Sequence, residues 1–285
     1  MPALPEIQVA PDAIAALRSV AARYAGIDAL EVDALEQALD LEISAGEAWQ
    51  ALADDIRATV DERGYAVLRG MDLDDGKTLV LLSTCLGAGF DAYGANRIVK
   101  RFRMSPWTRA LSHTVKAGDF HTDGNVSVDP PVATLMQCEV EDPGGDAYAE
   151  QRVADLPDLL AHLAGDEELT AFLTEREAVM SHEGSSQTWR GRLVEDGRIR
   201  YHPASLRIAA GRSGGLTPEL EEMMARLHDA AVAVSIPFHS RPGDVLIVSN
   251  TRALHYRGEC SVRFTDFPSA YDARSLLVLH RAATV

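Results

Sequence analysis

Apolar side chains recur at helical spacing through residues 1–62, and in short runs or alternating positions through most of the remaining chain. The helical spacing predicts helices from Pro11 to about Tyr24, from Leu30 to Asp40 and from Ala45 to Glu62. Gly64 follows the last of these helices, as a C-terminal capping glycine does. The pattern therefore predicts that residues 1–62 form a helical layer packed on a sheet.

The pattern after Gly64 is dominated by short apolar runs bounded by turn residues, which predict strands. The predicted strands cover residues 65–70, 98–104, 132–140, 147–151, 177–181, 188–194, 198–202, 245–248 and 276–280. Helices are predicted at residues 79–86, in two pieces within 154–174, and from a Thr217 cap to about Val232. Asp196-Gly197 predicts a hairpin turn. Many short strands with a few helices favour one α+β domain with a β-sandwich or barrel core.

The composition is that of a globular protein. Of the 285 residues, 46% are hydrophobic and 25% are charged, which is ample for a sizeable core. The net charge of −16 argues against a nucleic-acid partner, because phosphate binding needs clustered Lys and Arg. No apolar run approaches ~18 residues and the first residues show no signal-peptide pattern, so we expect neither a membrane span nor a leader. Cys85, Cys138 and Cys260 are outside any CxxC motif and predict reduced thiols in a cytoplasmic protein.

The candidate chemistry centres on His121-Thr122-Asp123-Gly124. A His and an Asp two positions apart can direct both side chains at one metal ion, although such a pair alone is more often a hydrogen-bonded surface turn. His255 is the best candidate for a third ligand, because the turn and buried strand at 242–248 lead the chain to it. Two imidazoles and one carboxylate on one face of a metal leave three positions open, as in non-haem Fe(II) oxygenases.

The remaining histidines each have a plain structural interpretation. They are His113, His162, His182, His202, His228, His239 and His280.

A set of short motifs also occurs in a characteristic order. These are Gly64–Gly70, His121–Gly124, Pro130-Pro131, Pro143–Asp146, Arg241–Leu246, Asn250–His255 and His280–Ala282. In this order the chain resembles the Fe(II)/2-oxoglutarate dioxygenases of the taurine dioxygenase and clavaminate synthase-like superfamily. The resemblance implies a double-stranded β-helix (jelly-roll) core over residues 64–284, with helical insertions, in one oxygenase domain spanning 1–285. It also implies Fe(II) held by His121, Asp123 and His255, with 2-oxoglutarate as co-substrate and O₂ as oxidant.

The resemblance further implies an arginine for the distal carboxylate of 2-oxoglutarate, since a guanidinium binds a carboxylate through two parallel hydrogen bonds. Here the candidates come later than in the family, at Arg274 and Arg281, and an insertion within Glu259–Tyr271 explains the delay. Side chains alternate along a strand, so Arg274 would share its face with Val278. Arg281 would share its face with Leu277. Both arginines are candidates for co-substrate binding.

The substrate is expected to be a small molecule, and the family implies a free amino acid or an amino-acid-derived metabolite. Candidate substrate-binding residues are Asn125, Ser127, Arg190 and Arg281. Halogenating relatives have Gly or Ala at the carboxylate position, so the presence of Asp123 favours hydroxylation. The expected reaction is hydroxylation of an unactivated C–H bond with release of succinate and CO₂.

Other interpretations remain open at this point. The same iron site could perform desaturation, cyclisation or oxidative cleavage, which differ in how the substrate radical is positioned. A metal-dependent hydrolase would use the same three ligands with Glu141 or Glu150 as general base. A non-catalytic jelly-roll binding protein would keep the fold without the chemistry, but the intact ligand set argues against it.

Overall fold

Helices and strands are mixed along this α+β chain, and the computed structural model describes residues 3–23, 46–73, 76–86, 89–91 and 97–282. The helices are α1 (Pro11–Ala22), α2 (Gly46–Arg63), α3 (Lys77–Ser83), α4 (Leu156–His162), α5 (Glu167–Thr174), α6 (Pro203–Ser213) and α7 (Pro218–Val234). The first eight strands are β1 (Glu6–Gln8), β2 (Tyr65–Arg69), β3 (Gly89–Asp91), β4 (Val99–Arg103), β5 (Ala133–Val140), β6 (Gln151–Asp155), β7 (Glu177–Ser181) and β8 (Thr188–Arg192). The others are β9 (Val194–Glu195), β10 (Arg198–Ile199), β11 (Val245–Ser249), β12 (Ala253–Arg257), β13 (Val262–Asp266), β14 (Ala270–Ala273) and β15 (Ser275–Ala282). The helix predicted from Leu30 to Asp40 lies outside the described residues.

A seven-stranded sheet has the order β1-β2-β11-β5-β15-β3, and β4 pairs with β15 as well. The β1–β2 pair is parallel and the other pairs of this sheet are antiparallel. One edge of β15 pairs with two strands in succession. Residues 275–279 pair with β4, and residues 280–282 pair with β3. Strands β2, β11 and β15 are buried almost throughout, as strands covered on both faces must be.

The two faces of this sheet pack against different layers. On one face, Leu277 and Leu279 of β15 join an apolar cluster with α1, α2 and α3. On the opposite face, Met136 of β5 packs in a cluster with Val153 of β6 and Ala253 of β12. Strands β6 and β12 form an antiparallel pair. The interior between the large sheet and this pair is where the candidate ligands meet.

A third apolar cluster lies on the outer side of the β6–β12 pair. Leu254 of β12 and Ala154 of β6 belong to it, together with buried residues of α4 to α7 such as Leu159 and Leu227. Strand β12 therefore places Ala253 in the interior cluster and Leu254 in the outer one. The alternation of side chains along the strand is the reason that it joins both clusters.

Most predicted elements are confirmed, and the exceptions have local causes. The Asp196-Gly197 turn is confirmed, with φ of 51° and 70° at its two residues. The strand predicted at 147–151 is wrong: Gly145–Ala147 forms a 3₁₀ turn, and β6 begins only at Gln151. The strand predicted at 198–202 ends at Ile199, because His202 caps α6 by accepting a hydrogen bond from the Ser205 backbone N–H.

The segment before Arg274, in which the sequence predicts an insertion, contains a β-hairpin. Strands β13 and β14 pair antiparallel across residues 262–273 and then deliver the chain to β15. This hairpin lies between His255 and the two candidate arginines, and the insertion relative to the family stays a prediction.

The described part of the chain contains no helix with the length and hydropathy that a membrane span requires. Cys85, Cys138 and Cys260 are free thiols.

Candidate metal centre

Two of the candidate ligands are direct backbone partners. The N–H of His121 donates to the carbonyl oxygen of His255 at 3.0 Å, and the N–H of His255 donates to the carbonyl oxygen of His121 at 3.1 Å. This isolated antiparallel bridge joins the loop before β5 to β12. Directly opposed residues of such a bridge place their side chains on the same face. The two imidazole rings accordingly lie with their centres 4.2 Å apart.

The loop that carries Asp123 is held in place from several sides. The side-chain carbonyl of Asn250 accepts a hydrogen bond from the Asp123 N–H at 2.7 Å, and its amide donates to the Asp123 and Pro131 carbonyl oxygens. Gly124 has a φ of +61°, and a Cβ at this position would lie 2.6 Å from Pro131 Cδ. A side chain at position 124 would therefore strain the backbone and collide with Pro131.

The three candidate side chains converge on one point. One potential ligand atom from each of His121, Asp123 and His255 lies within 4.8 Å of the others. Asp123 Oδ1 is 3.8 Å from His121 Nε2, and Asp123 Oδ2 is 3.7 Å from His255 Nε2. His255 is buried, whereas His121 and Asp123 are partly exposed, so the cluster is open on one side.

The protonation states fit a divalent metal. Burial, followed by the charge of neighbouring His121, lowers the pKa of His255 to about 3, so its ring is neutral at pH 7. His121 Nδ1 lies 2.8 Å from the Asp119 carbonyl oxygen, which can only accept, so Nδ1 is the donor in this hydrogen bond and Nε2 is the nitrogen that faces Asp123. Burial alone would raise the pKa of the Asp123 carboxyl, but His255 and His280 hold it well below its ordinary range. Two imidazoles and one carboxylate form the donor set that suits Fe(II).

Two further histidines, for which the sequence predicts only a structural role, border this cluster. His280 Nε2 on β15 lies 3.4 Å from Asp123 Oδ2. The His202 ring lies 5.1 Å from the His121 ring, and burial followed by the charge of His121 lowers the pKa of His202 to about 3. A hydroxyl also reaches the cluster, since Thr134 Oγ1 donates to Asp123 Oδ2 at 2.7 Å. His280 on β15 and Thr134 on β5 are directly paired across the sheet. Alternation along the two strands is the sequence feature that indicates that both side chains face the interior.

The two candidate arginines lie on opposite sides of the sheet, Arg274 directly before β15 and Arg281 within it. Arg281 is on the face of Leu277 and Leu279, which pack against the helices, and its guanidinium lies 4.1 Å from the centre of the Phe90 ring. The structure therefore does not bring Arg281 towards the three candidate ligands. Arg274 lies on the other face, and alternation places it on the side of His280.

Arg274 is almost fully buried, at 1% exposure. Its Nη1 lies 3.5 Å from the Ala149 carbonyl oxygen, and its Nη2 is buried with no hydrogen-bond partner among the described residues. A buried guanidinium edge without a partner is costly unless a ligand satisfies it.

The substrate-binding candidates are dispersed. Asn125 is buried and its amide contacts Met180 Sδ at 3.6 Å, which points it into the outer cluster. The Ser127 hydroxyl donates to the Asp129 carbonyl oxygen at 3.0 Å. Arg190 projects to solvent from β8 and forms a salt bridge with Glu177. The structure thus keeps Asn125 and Ser127 on the ligand loop but does not bring Arg190 to it.

The two general bases considered for a hydrolase are both ion-paired. Glu150 Oε1 lies 2.6 Å from Arg152 Nε, and Glu141 Oε2 lies 3.2 Å from Arg241 Nη1. Because each carboxylate is already engaged by an arginine, neither glutamate is favoured as a general base beside the metal.

The sequence matches a family model described as "Taurine catabolism dioxygenase TauD, TfdA family" over residues 31–266. No curated protein is significantly similar to the chain in sequence.

Three solved structures of oxygenases share the fold of this chain. Asparagine oxygenase in complex with Fe(II), 2S,3S-3-hydroxyasparagine and succinate has a TM-score of 0.76 and 18% identity, covering 98% of this chain and 93% of its own. A variant of the non-heme iron oxygenase OrfP in complex with (3S)-hydroxy-L-Arg has a TM-score of 0.72 and 18% identity, covering 98% and 94%. A taurine dioxygenase from Burkholderia xenovorans has a TM-score of 0.55 and 19% identity, covering 82% of each chain.

Proposed function

Since this chain belongs to the TauD, TfdA family and is a 2-oxoglutarate-dependent dioxygenase, we propose that it hydroxylates an unactivated C–H bond of a free amino acid or an amino-acid-derived metabolite. The observation that carries the proposal is the convergence of His121, Asp123 and His255 on one point. Fe(II), when bound there, supplies oxidising chemistry in which 2-oxoglutarate becomes succinate and CO₂ and one oxygen atom of O₂ enters the substrate. The protein holds and orients these groups.

In this proposal His121, Asp123 and His255 hold the iron, each through one atom. Arg274 holds the distal carboxylate of 2-oxoglutarate, because its buried Nη2 lacks a partner among the described residues and a guanidinium matches a carboxylate. Asn250 positions Asp123 through its two-sided hydrogen bonding to that residue's backbone. His280 and Thr134 orient the carboxylate of Asp123.

The substrate class is supported by the similar structures. Asparagine oxygenase is described with hydroxyasparagine, and OrfP with hydroxyarginine. Both are amino acids with one added hydroxyl group, which is the product class that we propose for this chain. We also propose that residues 64–284 form a jelly-roll core, with the large sheet and the β6–β12 pair as its two layers, and that residues 1–285 act as one domain.

The iron and co-substrate roles are tested by anaerobic titration. Fe(II) and 2-oxoglutarate together should give a weak visible metal-to-ligand charge-transfer band, and His255→Ala should abolish it because one ligand is lost. His162→Ala, which removes an exposed histidine from α4, should leave the band unchanged. Absence of the band in the unaltered protein would contradict both roles.

The substrate class is tested by succinate release with each of a panel of L-amino acids. Turnover should rise above the substrate-free rate with at least one of them, and the product should gain the mass of one oxygen atom. A product that instead loses two hydrogen atoms would indicate desaturation at the same site. If the charge-transfer band forms but no amino acid stimulates turnover, the amino-acid assignment is wrong while the iron site stands.

A further inference from the structure

Arg200, between β10 and α6, is a half-buried cation with an unusual environment. Its Nη1 donates to the Ser127 carbonyl oxygen at 2.9 Å, and its guanidinium carbon lies 5.0 Å from the centre of the Trp189 ring. Within the part of the chain that the structure describes, no carboxylate forms a salt bridge with it. Burial lowers the pKa of Arg200, and the exposed carboxylate of Asp129 only partly offsets this. A partly desolvated cation is expected to have an anionic partner.

Other arginines in this region do have such partners. Arg192 Nη2 on β8 forms a salt bridge with Glu195 on β9. Arg207 Nε on α6 lies 2.9 Å from Glu221 Oε1, and its Nη1 lies 3.3 Å from Asp119 Oδ2. In a chain with a net charge of −16, acidic partners are plentiful. The lack of one at Arg200 therefore leaves its guanidinium available to an acidic ligand.

Arg200 also borders the metal centre. It contacts Ser127, whose N–H donates to the Gly124 carbonyl oxygen in the turn directly after Asp123. Tyr201, the next residue, exchanges hydrogen bonds with Thr122 in the same loop.

His202, two positions beyond Arg200, places its ring against that of His121. Side chains two apart in an extended segment project to the same side, so Arg200 shares its side with His202. Arg200 therefore contacts the loop that carries Asp123 and lies two residues before a histidine whose ring packs against that of His121.

On the basis of the proposed function, we propose that Arg200 and Trp189 form the subsite for the α-carboxylate of the amino-acid substrate. The indole ring of Trp189 stacks on one face of the guanidinium, and the Ser127 carbonyl oxygen accepts the hydrogen bond of Nη1. The remaining N–H groups of the guanidinium can then bind a carboxylate. The two cations that the sequence suggests for substrate binding lie elsewhere: Arg190 is paired with Glu177, and Arg281 is on the face of β15 that packs against the helices.

The experiment uses the protein loaded anaerobically with Fe(II) and 2-oxoglutarate. The probes are L-amino acids and their α-carboxamides, and binding is read as a perturbation of the charge-transfer band. We expect at least one amino acid to bind about tenfold or more tightly than its carboxamide, because the amide cannot form charge-assisted hydrogen bonds. Arg200→Gln should remove this preference, and Arg192→Gln, the matched control on β8, should keep it.

The other possible outcomes of this experiment each contradict either the subsite or the proposed function. The subsite is wrong if Arg200→Gln keeps the preference for the acid, if the unaltered protein has no such preference, or if no amino acid perturbs the band. A missing band in the unaltered protein would instead refute the proposed function. If Arg200→Gln misfolds and loses the band, Arg200→Lys replaces it as the test variant. Lysine keeps the positive charge but lacks the planar guanidinium, so the preference for the acid over the carboxamide should become smaller without disappearing.

Discussion

At the residue scale, Asp123 is held through both its backbone and its carboxylate. Oδ2 accepts the hydrogen bond of Thr134 and lies near Nε2 of His280, so two protein groups already engage that oxygen. Oδ1 faces His121 Nε2 at 3.8 Å. Oδ2 also lies 3.7 Å from His255 Nε2, so the groups that engage Oδ2 orient the whole carboxylate towards the two imidazoles. Groups that orient a ligand in this way commonly tune metal affinity.

Thr134→Val removes the hydroxyl at nearly constant volume and leaves Asp123 Oδ2 with one donor fewer. We expect the affinity for Fe(II), or for Co(II) as a spectroscopic substitute, to fall about tenfold or more. Anaerobic metal titration measures the change directly. Thr134→Ser keeps the hydroxyl and should retain most of the affinity. Equal affinities in the valine variant and the unaltered protein would show that Thr134 does not orient the ligand.

At the element scale, alternation along β15 places Arg274 and Arg281 on opposite sides of the sheet. The sequence alone leaves both as candidates for binding 2-oxoglutarate. Even-numbered positions such as Val278 and His280 face the interior, whereas Leu277 and Arg281 face the helical layer. The β13–β14 hairpin ends directly before Arg274, and alternation places Arg274 on the side of Val278 and His280. The sheet register, rather than the distance along the chain, therefore favours Arg274 as the co-substrate residue.

Arg274→Gln and Arg281→Gln form a matched pair that tests this assignment. We expect Arg274→Gln to weaken 2-oxoglutarate binding about tenfold or more, because charge-assisted hydrogen bonds to a carboxylate are lost. Arg281→Gln should lower the urea midpoint of unfolding, through lost packing on Phe90, with little change in 2-oxoglutarate affinity. Titration of the anaerobic charge-transfer band gives both affinities. The reverse ranking would return the role to Arg281.

At the scale of the whole molecule, β12 connects the apolar clusters and also carries a candidate ligand. Ala253 packs in the interior cluster, Leu254 packs in the outer helical cluster, and His255 follows directly. Its backbone bridge to His121 ties the loop before β5 to the same strand. Local unfolding of either cluster would therefore disturb the metal centre, which favours cooperative behaviour of the chain.

We expect one cooperative unfolding transition that responds as a unit to its ligands. At about 100 times the Kd, ligand that binds only the folded state raises the free energy of unfolding by about 2.7 kcal/mol. Anaerobic urea unfolding with and without Fe(II) plus 2-oxoglutarate measures this gain, and His255→Ala should lose it. Two separate transitions, with only one of them shifted, would contradict the proposal that residues 1–285 act as one domain.

The sequence by itself determined most of the elements and the three candidate ligands, because these depend on local signals. Apolar periodicity predicted β5, β11 and the described helices other than α6, and the order of short motifs singled out His121, Asp123 and His255. Only the tertiary structure decided which other side chains meet there. Thr134 and His280 reach Asp123 through sheet register, and Arg200 reaches the ligand loop from a segment remote in sequence. Such contacts depend on pairing between distant strands and loops, which local periodicity does not specify.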